Sequence, residues 1–141
     1  MAEKLRVLMI NGSPRANGNT SVGLKEMEKI FQENGVEVET VVVGNKPVRG
    51  CVVCARRGGC SATFDELNKY FTISGMPVAS SQYWNSIHGR ISGEAEQDGE
   101  GKQTMRVLAR NMTFLMKSIA LGKEQFGLPE KEERIATHFI R

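Results

Sequence analysis

The sequence lacks the long apolar run that a membrane-spanning helix needs, because no stretch approaches about 18 consecutive apolar residues. It also lacks a signal-peptide profile, since the first four residues, Met-Ala-Glu-Lys, lead directly into a strand-like run. We therefore expect a cytoplasmic protein that has no membrane partner.

Cysteine is scarce, with three residues in a chain of 141. The three are Cys51, Cys54 and Cys60, an odd number in a chain without secretory features. A disulfide framework normally uses an even number of cysteines in an exported protein. We therefore expect free thiols.

The chain also lacks a strong excess of charge of one sign. Its 19 Lys and Arg residues are opposed by 16 Asp and Glu residues, which leaves a formal net charge of +3. The basic residues are spread along the chain and are not interleaved with aromatic side chains, whereas a nucleic-acid binder usually concentrates them on one face. We expect no nucleic-acid partner and a mild affinity for anionic small molecules.

The composition is that of a globular domain. Apolar residues make up 40% of the chain and charged residues 25%, and both values are close to the averages for soluble domains. A chain of this length buries about 68% of the surface that its unfolded form exposes. Residues 1–141 are therefore predicted to form one domain without a boundary or an internal repeat.

The first 44 residues predict a strand, a helix and a second strand. Residues 5–10 are nearly all apolar, as in a parallel strand that is buried on both faces. After a polar loop, a helix is indicated by apolar residues at helical spacing, and Gly35 is suited to its left-handed cap. Residues 36–43, rich in β-branched side chains, predict the second strand and a right-handed crossover. The apolar residues of the helix are Val22, Leu24, Met27, Ile30 and Phe31.

The rest of the chain continues this alternation and predicts an α/β fold with a parallel sheet. Residues 51–55 and 76–80 predict short strands, and a helix is predicted from Ser61 to about Ile73. Residues 81–101 show little periodicity and predict a long functional loop containing Tyr83, Trp84 and His88. Residues 102–121 predict a long helix with a methionine-rich apolar stripe, and residues 122–141 a charged tail.

The loop between the first strand and the first helix has the composition of an anion site. A helix amino terminus presents unpaired backbone N–H groups and the positive end of the helix dipole. The glycines at 12 and 18 permit backbone conformations that turn N–H groups inward, and Arg15 adds a positive charge. The loop is not a Walker motif, since Asn19 stands in place of the lysine, and it lacks the spaced glycines of a dinucleotide fingerprint.

Residues 9–21, Met-Ile-Asn-Gly-Ser-Pro-Arg-Ala-Asn-Gly-Asn-Thr-Ser, resemble the opening motif of the NADPH-dependent FMN reductase and flavodoxin-like flavoprotein family. The resemblance implies a flavodoxin-like three-layer fold in which this loop holds the FMN phosphate. We expect its amides and hydroxyls to converge on one phosphomonoester at the start of the helix. An ordinary strand-to-helix connection with polar caps is the alternative. The implied phosphate ligands are Ser13, Arg15, Asn17, Gly18, Asn19, Thr20 and Ser21.

Residues 52–59, 64–68 and 80–85 resemble the later part of the same family. The resemblance implies that the loop Arg56, Arg57, Gly58 and Gly59 lies beside the isoalloxazine ring, where positive charge favours the anionic reduced flavin. A solvated turn is the alternative for the two arginines. Tyr83 and Trp84 are expected to stack on a ring or to close a dimer interface, and aromatic core packing is the competing interpretation.

The resemblance also implies that one strand–helix unit of the family is lacking. Members normally place another strand, loop and helix between the counterparts of Gly50 and Val52, and in the strand order 2-1-3-4-5 that strand is central. We therefore expect a fold shortened by about one strand–helix unit. Either a neighbouring strand pairs with the first strand in its place, or a second chain fills the gap, or the sequence is part of a longer protein.

The cysteines leave further alternatives. Their spacing is similar to the motif of iron–sulfur flavoproteins, but such a cluster asks for four thiolates. A zinc site has the same shortage unless His88 or His138 completes it, so buried or loop thiols are preferred. Cys51 and Arg57 fit the Cys-x5-Arg spacing of a phosphatase, although a glycine follows the arginine where a hydroxyl is expected.

By the resemblance, the chain is an FMN-binding, NAD(P)H-dependent oxidoreductase. It transfers a hydride from the nicotinamide to the flavin and on to an acceptor, and no protein residue acts as a general base in the hydride step. No metal is expected. A homodimer or tetramer is implied, and it would help to cover an open sheet edge. The alternatives are a flavin-binding or dimerising protein without catalytic activity, and the phosphatase.

Overall fold

A computed structural model of the protein describes residues 4–11, 13, 15, 17–42, 53–55, 59–133 and 135–136. The elements, in chain order, are β1 (Arg6–Asn11), α1 (Asn19–Glu33), β2 (Glu37–Val42), β3 (Val53–Ala55), α2 (Cys60–Ile73), β4 (Ser86–His88), a 3₁₀ helix (Glu94–Gln97) and α3 (Gly99–Phe126).

The first three elements form the predicted strand–helix–strand unit. β1 and β2 pair in parallel along their whole length, from Arg6 opposite Glu37 to Asn11 opposite Val42. The connection through α1 turns back at Gly35, whose φ of +73° is a left-handed conformation that glycine adopts without steric cost. The predicted α/β class with parallel pairing is therefore confirmed.

A second parallel pair follows. β3 and β4 pair in register, with Val53 opposite Ser86 and Ala55 opposite His88. Within the described residues, each sheet has two strands, and β3 pairs with β4 and not with β1. The alternative in which the neighbouring strand takes the place beside β1 is therefore not what the described part of the chain shows.

The main core lies where α1 and α3 pack against each other and against β1. Apolar side chains recur on α1 at helical spacing, and Phe31 and Met105 at the centre are completely buried. The buried members of this cluster are Met9, Leu24, Met27, Ile30, Phe31, Val36, Met105, Leu108 and Ala109. A smaller cluster of Val22, Ile87 and Ala95 connects α1 to β4 and the 3₁₀ helix.

The structure corrects three sequence-based boundaries. Residues 76–80 form no strand in the described chain, because Pro77 lacks a backbone donor and no described strand lies alongside to pair with them. The predicted loop at 81–101 contains β4 and the 3₁₀ helix. The final helix runs Gly99–Phe126 and not 102–121, because Asp98 caps its start and Gly127, with φ of +76°, ends it.

No helix in the described ranges combines the length and apolar character that crossing a lipid bilayer requires.

Candidate functional site

The carboxyl end of β1 is joined to the start of α1 by hydrogen bonds of one buried side chain. Asn11 is 2% exposed. Its Nδ2 donates to Ser21 Oγ at 2.8 Å, and its Oδ1 accepts from the backbone N–H of Ser13 at 3.1 Å. One amide therefore holds both ends of the predicted phosphate loop.

The described residues of the loop use part of their own backbone donors. The N–H of Arg15 donates to Ser13 Oγ at 3.2 Å, and the N–H of Gly18 donates to the carbonyl of Arg15 at 3.1 Å. The N–H of Ser21 donates to the carbonyl of Gly18 at 3.0 Å. With the Ser13 N–H donating to Asn11, four of the predicted phosphate-binding residues direct their N–H groups at protein acceptors. The expected convergence of the loop's amides on one phosphate is therefore wrong for these four residues in this conformation.

The remaining backbone N–H donors lie at the amino terminus of α1. In the described part of the chain the N–H groups of Asn19 and Thr20 have no protein acceptor, as is usual for the first turn of a helix. No acidic residue lies in that turn, and the Arg15 side chain is exposed close in sequence. These groups fit a phosphate at the positive end of the helix dipole. Gly18 and Ser21 are buried and support the loop from within.

Gly18 contributes through its size and not through an unusual backbone conformation. Its φ of −79° and ψ of 179° are extended values that any residue adopts. A Cβ at this position would lie 3.1 Å from Ser13 Oγ and 3.2 Å from the carbonyl oxygen of Arg15. A side chain here would therefore press on the turn that carries two of the predicted ligands.

Two distant residues anchor the loop from outside. Ser92 Oγ donates to the carbonyl of Asn17 at 3.0 Å, and the N–H of Ala95 donates to Asn19 Oδ1 at 3.1 Å. The Asn19 side chain is therefore engaged through its oxygen, which leaves its Nδ2 hydrogens as the donors that it can offer to an anion.

The segment that carries these anchors is itself held by Asp98. Its Oδ2 accepts from the N–H of His88 at 2.7 Å, and its Oδ1 accepts from the N–H of Gly101 at 2.8 Å. His88 Nδ1 also lies 3.5 Å from Asp98 Oδ2. Asp98 thereby caps α3 and fixes the end of β4. The sequence pattern indicates a solvated acidic run for Glu94, Glu96, Asp98 and Glu100, and this interpretation is wrong for Asp98, whose side chain is only 17% exposed. An aspartate directly before a helix is a cap signal.

A cavity of about 240 Å³ lies near the amino termini of α2 and α3. Tyr83 and Trp84 border it, with ring centroids 4.8 Å apart and both side chains more than half exposed. Cys60 and His88 also border it. Burial raises the pKa of the Cys60 thiol, so the neutral thiol is favoured.

Two of the residues expected near the flavin ring can be placed. Tyr83 borders this cavity, and Gly59 is exposed directly before α2. Arg56, Arg57 and Gly58 lie outside the described residues, so their predicted role stays a prediction.

The metal and phosphatase alternatives depend on residues that the structure largely leaves undescribed. Cys51, Arg57 and His138 lie outside the described ranges, and the side chain of Cys54 is not described. Among the described residues, no three histidine, cysteine, aspartate or glutamate side chains are grouped so that they could hold a metal ion.

Comparisons with known proteins point to the family that the opening motif resembles. The family of NADPH-dependent FMN reductases matches residues 5–66. An iron-sulfur flavoprotein from Methanocaldococcus jannaschii is 29% identical over 93 residues, which cover 62% of this chain and 48% of that protein. The chain thus spans about half the length of this curated relative. No solved structure matches the chain significantly.

Proposed function

We propose that this chain, whose residues 5–66 match the NADPH-dependent FMN reductase family, binds FMN by its phosphate at the start of α1 and acts as an NAD(P)H-dependent oxidoreductase. The observation that carries the proposal is that the N–H groups of Asn19 and Thr20 have no acceptor among the described residues, in a first turn of α1 without acidic residues. The family match supports it.

The loop residues divide into ligands and supports under this proposal. Asn19 and Thr20 donate backbone N–H groups, Ser13 and Thr20 offer hydroxyls, and Arg15 supplies the countercharge. Asn17 is exposed at the turn, where its side chain can reach an anion. Gly18 and Ser21 are buried and keep the turn closed, together with Asn11.

When bound, FMN supplies the hydride and electron-transfer chemistry. The chain's own part is to fix the phosphate, and with it the direction in which the rest of the molecule leaves the loop. The proposal assigns Gly59 and Tyr83 to the ring side, together with Arg56, Arg57 and Gly58. Positive charge there would favour the reduced anionic flavin.

The proposal includes the setting in which the chain works. Residues 1–141 act as a single domain in the cytoplasm, and the protein assembles as a homodimer or tetramer. NADH or NADPH donates the hydride, and a further acceptor takes the electrons. The family match supports the flavin and the nicotinamide as partners.

Titration of the purified chain with FMN and with riboflavin tests the phosphate site. The two ligands share the ring and differ by the phosphate, so the proposal expects FMN to bind at least about tenfold more tightly, since charge-assisted hydrogen bonds contribute about 1.5–3 kcal/mol. Quenching of flavin fluorescence measures both affinities. Equal affinity for the two ligands would contradict a phosphate site in this loop.

A matched pair of variants locates the site. Arg15→Ala is expected to weaken FMN binding about tenfold and to leave riboflavin binding unchanged. Lys25→Ala removes another exposed cation, from α1 beyond its first turn, and is expected to change FMN affinity less than twofold. If the two variants behave alike, general positive charge and not the loop attracts the ligand.

Adding NADPH and then NADH to the FMN complex without oxygen separates the reductase from a flavin carrier. Bleaching of the flavin absorbance near 450 nm is expected for a reductase. A complex that holds FMN but is not bleached by either nicotinamide would identify the alternative of a non-catalytic flavin-binding protein.

A further inference from the structure

Gly89, the residue directly after β4, lies against the side chain of Asn19, the first residue of α1. A Cβ at position 89 would collide with Nδ2 of Asn19 and would lie 2.7 Å from its Cγ and 2.9 Å from the backbone nitrogen of Ala95. Two of these three atoms belong to the amide of Asn19. A side chain at position 89 would therefore displace that amide.

The structure uses glycine at position 89 for space and not for an unusual backbone conformation. Gly89 is not among the glycines with a positive φ, whereas Gly93 in the same segment has φ of +85°. Residues other than glycine avoid positive φ but adopt negative values freely. What glycine provides at position 89 is therefore room for the Asn19 amide.

The segment that begins at Gly89 also holds the backbone of the loop. Residues 89–95 connect β4 to the 3₁₀ helix and include its first two residues. Ser92 binds the carbonyl of Asn17, and the N–H of Ala95 binds Oδ1 of Asn19. The residues on both sides of Gly18, the N-cap of α1, are thus held by one segment.

This segment is folded by hydrogen bonds of its own. Oε2 of Glu94 accepts from the N–H of Arg90 at 2.6 Å and from the N–H of Ile91 at 3.1 Å. Asp98 fixes the position of His88 directly before it. The segment is therefore a shaped support for the loop, and it lies outside residues 5–66, which match the reductase family.

We propose that Gly89 is a positioning residue for the phosphate of FMN. The room that it leaves lets residues 89–95 hold Asn19, and with it the first N–H groups of α1, in the arrangement that binds the anion. A binding site of several donors keeps its affinity only when supporting contacts hold those donors within about 0.5 Å. The inference rests on the proposed function, and it makes residue 89 a determinant of the preference for FMN over riboflavin.

A matched pair of glycine substitutions tests this inference. Gly89→Ala is expected to weaken FMN binding at least about tenfold and riboflavin binding less than about twofold, because only the phosphate contacts are displaced. Gly99→Ala is the control, since an added Cβ there meets nothing within 4 Å, and it is expected to change either affinity less than about twofold. Fluorescence titration measures the affinities, and circular dichroism checks that both variants fold.

A second pair of variants tests the same support without adding an atom. Ser92→Ala removes the donor to the carbonyl of Asn17 and is expected to weaken FMN binding about threefold, with riboflavin binding unchanged. Ser74→Ala removes the same kind of bond, from Ser74 Oγ to the carbonyl of Tyr70 at the end of α2. It is expected to change neither affinity. This pair decides the question if Gly89→Ala does not fold.

A double-mutant cycle tests whether Gly89 acts through Asn19. In the Asn19→Ala background the amide that an alanine at position 89 would displace is gone, so Gly89→Ala is expected to weaken FMN binding by less than about threefold more. A loss as large as in the wild-type background would show that Gly89 does not act through this side chain, and would overturn the proposal.

The titrations separate the failure of this inference from the failure of the phosphate site. A wild-type chain that binds FMN no more tightly than riboflavin would overturn both. If the wild type prefers FMN and Gly89→Ala keeps that preference, the phosphate site stands and this inference is wrong. It is also wrong if Gly89→Ala weakens both flavins equally, or if Gly89→Ala does not fold and Ser92→Ala binds FMN as the wild type does.

Discussion

The guanidinium of Arg106 on α3 donates to the carboxylate of Glu26 on α1, with Nη1 and Oε2 2.8 Å apart. Lys29 approaches the other oxygen of the same carboxylate at 3.0 Å. The Glu26 side chain is only 10% exposed, so it depends on these partners in place of water. The pair joins the two helices that form the main core.

Removal of this partner is expected to destabilise the fold. Arg106→Ala leaves a nearly buried carboxylate with Lys29 alone, and the expected loss is about 1–2 kcal/mol of unfolding free energy. Urea denaturation followed by circular dichroism measures it. Arg110→Ala, at an exposed position on the same helix, is the control and is expected to change stability by less than about 0.5 kcal/mol. Equal effects of the two variants would show that the ion pair adds nothing.

The same carboxylate predicts a pH dependence. Burial, the largest single influence, acts to raise the pKa of Glu26, but the hydrogen bonds from Arg106 and Lys29 and the positive charges of Lys29 and Lys102 together outweigh it and lower the pKa below its ordinary value of 4.5. A group whose pKa is lowered on folding stabilises the fold above its unfolded pKa, and this contribution is lost as the pH falls through the folded pKa. We therefore expect stability to decrease below about pH 4.5.

Substitution of Glu26 tests whether this carboxylate causes the expected decrease of stability at low pH. Glu26→Gln is expected to lower stability at neutral pH and to make it less sensitive to acid, since the titrating group is gone. Glu33→Gln, at an exposed position of the same helix, is the control. Urea midpoints from pH 3 to pH 7 provide the comparison. An unchanged acid slope in Glu26→Gln would contradict the assignment.

Two glycines of the same helix turn predict opposite responses to a methyl group. An added Cβ at Gly101 would lie 2.9 Å from Ile87 Cγ1 and would collide with the Asp98 carboxylate, whereas at Gly99 nothing lies within 4 Å. Gly101→Ala is expected to displace the cap that Asp98 provides and to cost about 1–2 kcal/mol. Gly99→Ala is expected to stabilise by roughly 0.4–1 kcal/mol. Thermal denaturation of both variants tests this ordering, and the reverse order would contradict it.

Two substitutions of Asn19 are expected to differ in their effect on stability but both to weaken FMN binding. Asn19→Ala removes the acceptor for the N–H of Ala95 and is expected to lose about 1 kcal/mol of stability and about tenfold in FMN affinity. Asn19→Asp keeps an acceptor, and its charge suits the helix start, so stability is retained while the phosphate is repelled. Melting curves and FMN titrations of both variants measure the two effects. Tight FMN binding by Asn19→Asp would show that the phosphate does not lie at this turn.

The thiol of Cys60 is expected to react slowly with alkylating reagents in the folded chain. Burial raises its pKa, so less of the reactive thiolate is present at a given pH than for an unperturbed cysteine. Alkylation of Cys60 by iodoacetamide at pH 8, followed by mass spectrometry, is expected to be at least about tenfold slower in the folded chain than in urea. Equal rates would show that the thiol is accessible and activated in the fold.

The part of the fold that the sequence predicts is the part that local patterns determine. The apolar run of β1, the spacing from Val22 to Phe31 on α1 and the left-handed Gly35 are all features of neighbouring residues, and the structure has the strand, the helix and the turn there. The expected burial of β1 on both faces is wrong, since Leu8 is 58% exposed. Residues 76–80 have the composition of a strand, but strand formation needs a partner elsewhere in the chain. β4 was missed because its three residues, Ser-Ile-His, are too few to show an alternation.

The candidate site could likewise be predicted only in part from the sequence. The residue types at 13–21 indicate an anion loop because glycines, hydroxyls and an arginine are visible in the sequence. The contacts that shape this loop are not visible there, since Ala95 uses a backbone N–H that every residue type except proline has. Ser92 also lies 75 positions from its partner Asn17. Such contacts depend on how β4 and α3 pack on α1, which no local pattern specifies.

The hydrogen bonds from Ser92 and Ala95 make the loop near the amino terminus depend on a segment more than 70 residues further along the sequence. A fragment ending at Val42 would contain all of β1, α1 and β2 but neither of these distant supports. Loop closure over some 75 residues carries an entropic cost, so we expect the turn to reach its final shape only after β4 and α3 have packed on α1. Any ligand that binds this shape therefore stabilises contacts between distant parts of the chain. Its binding free energy adds to the free energy of global unfolding.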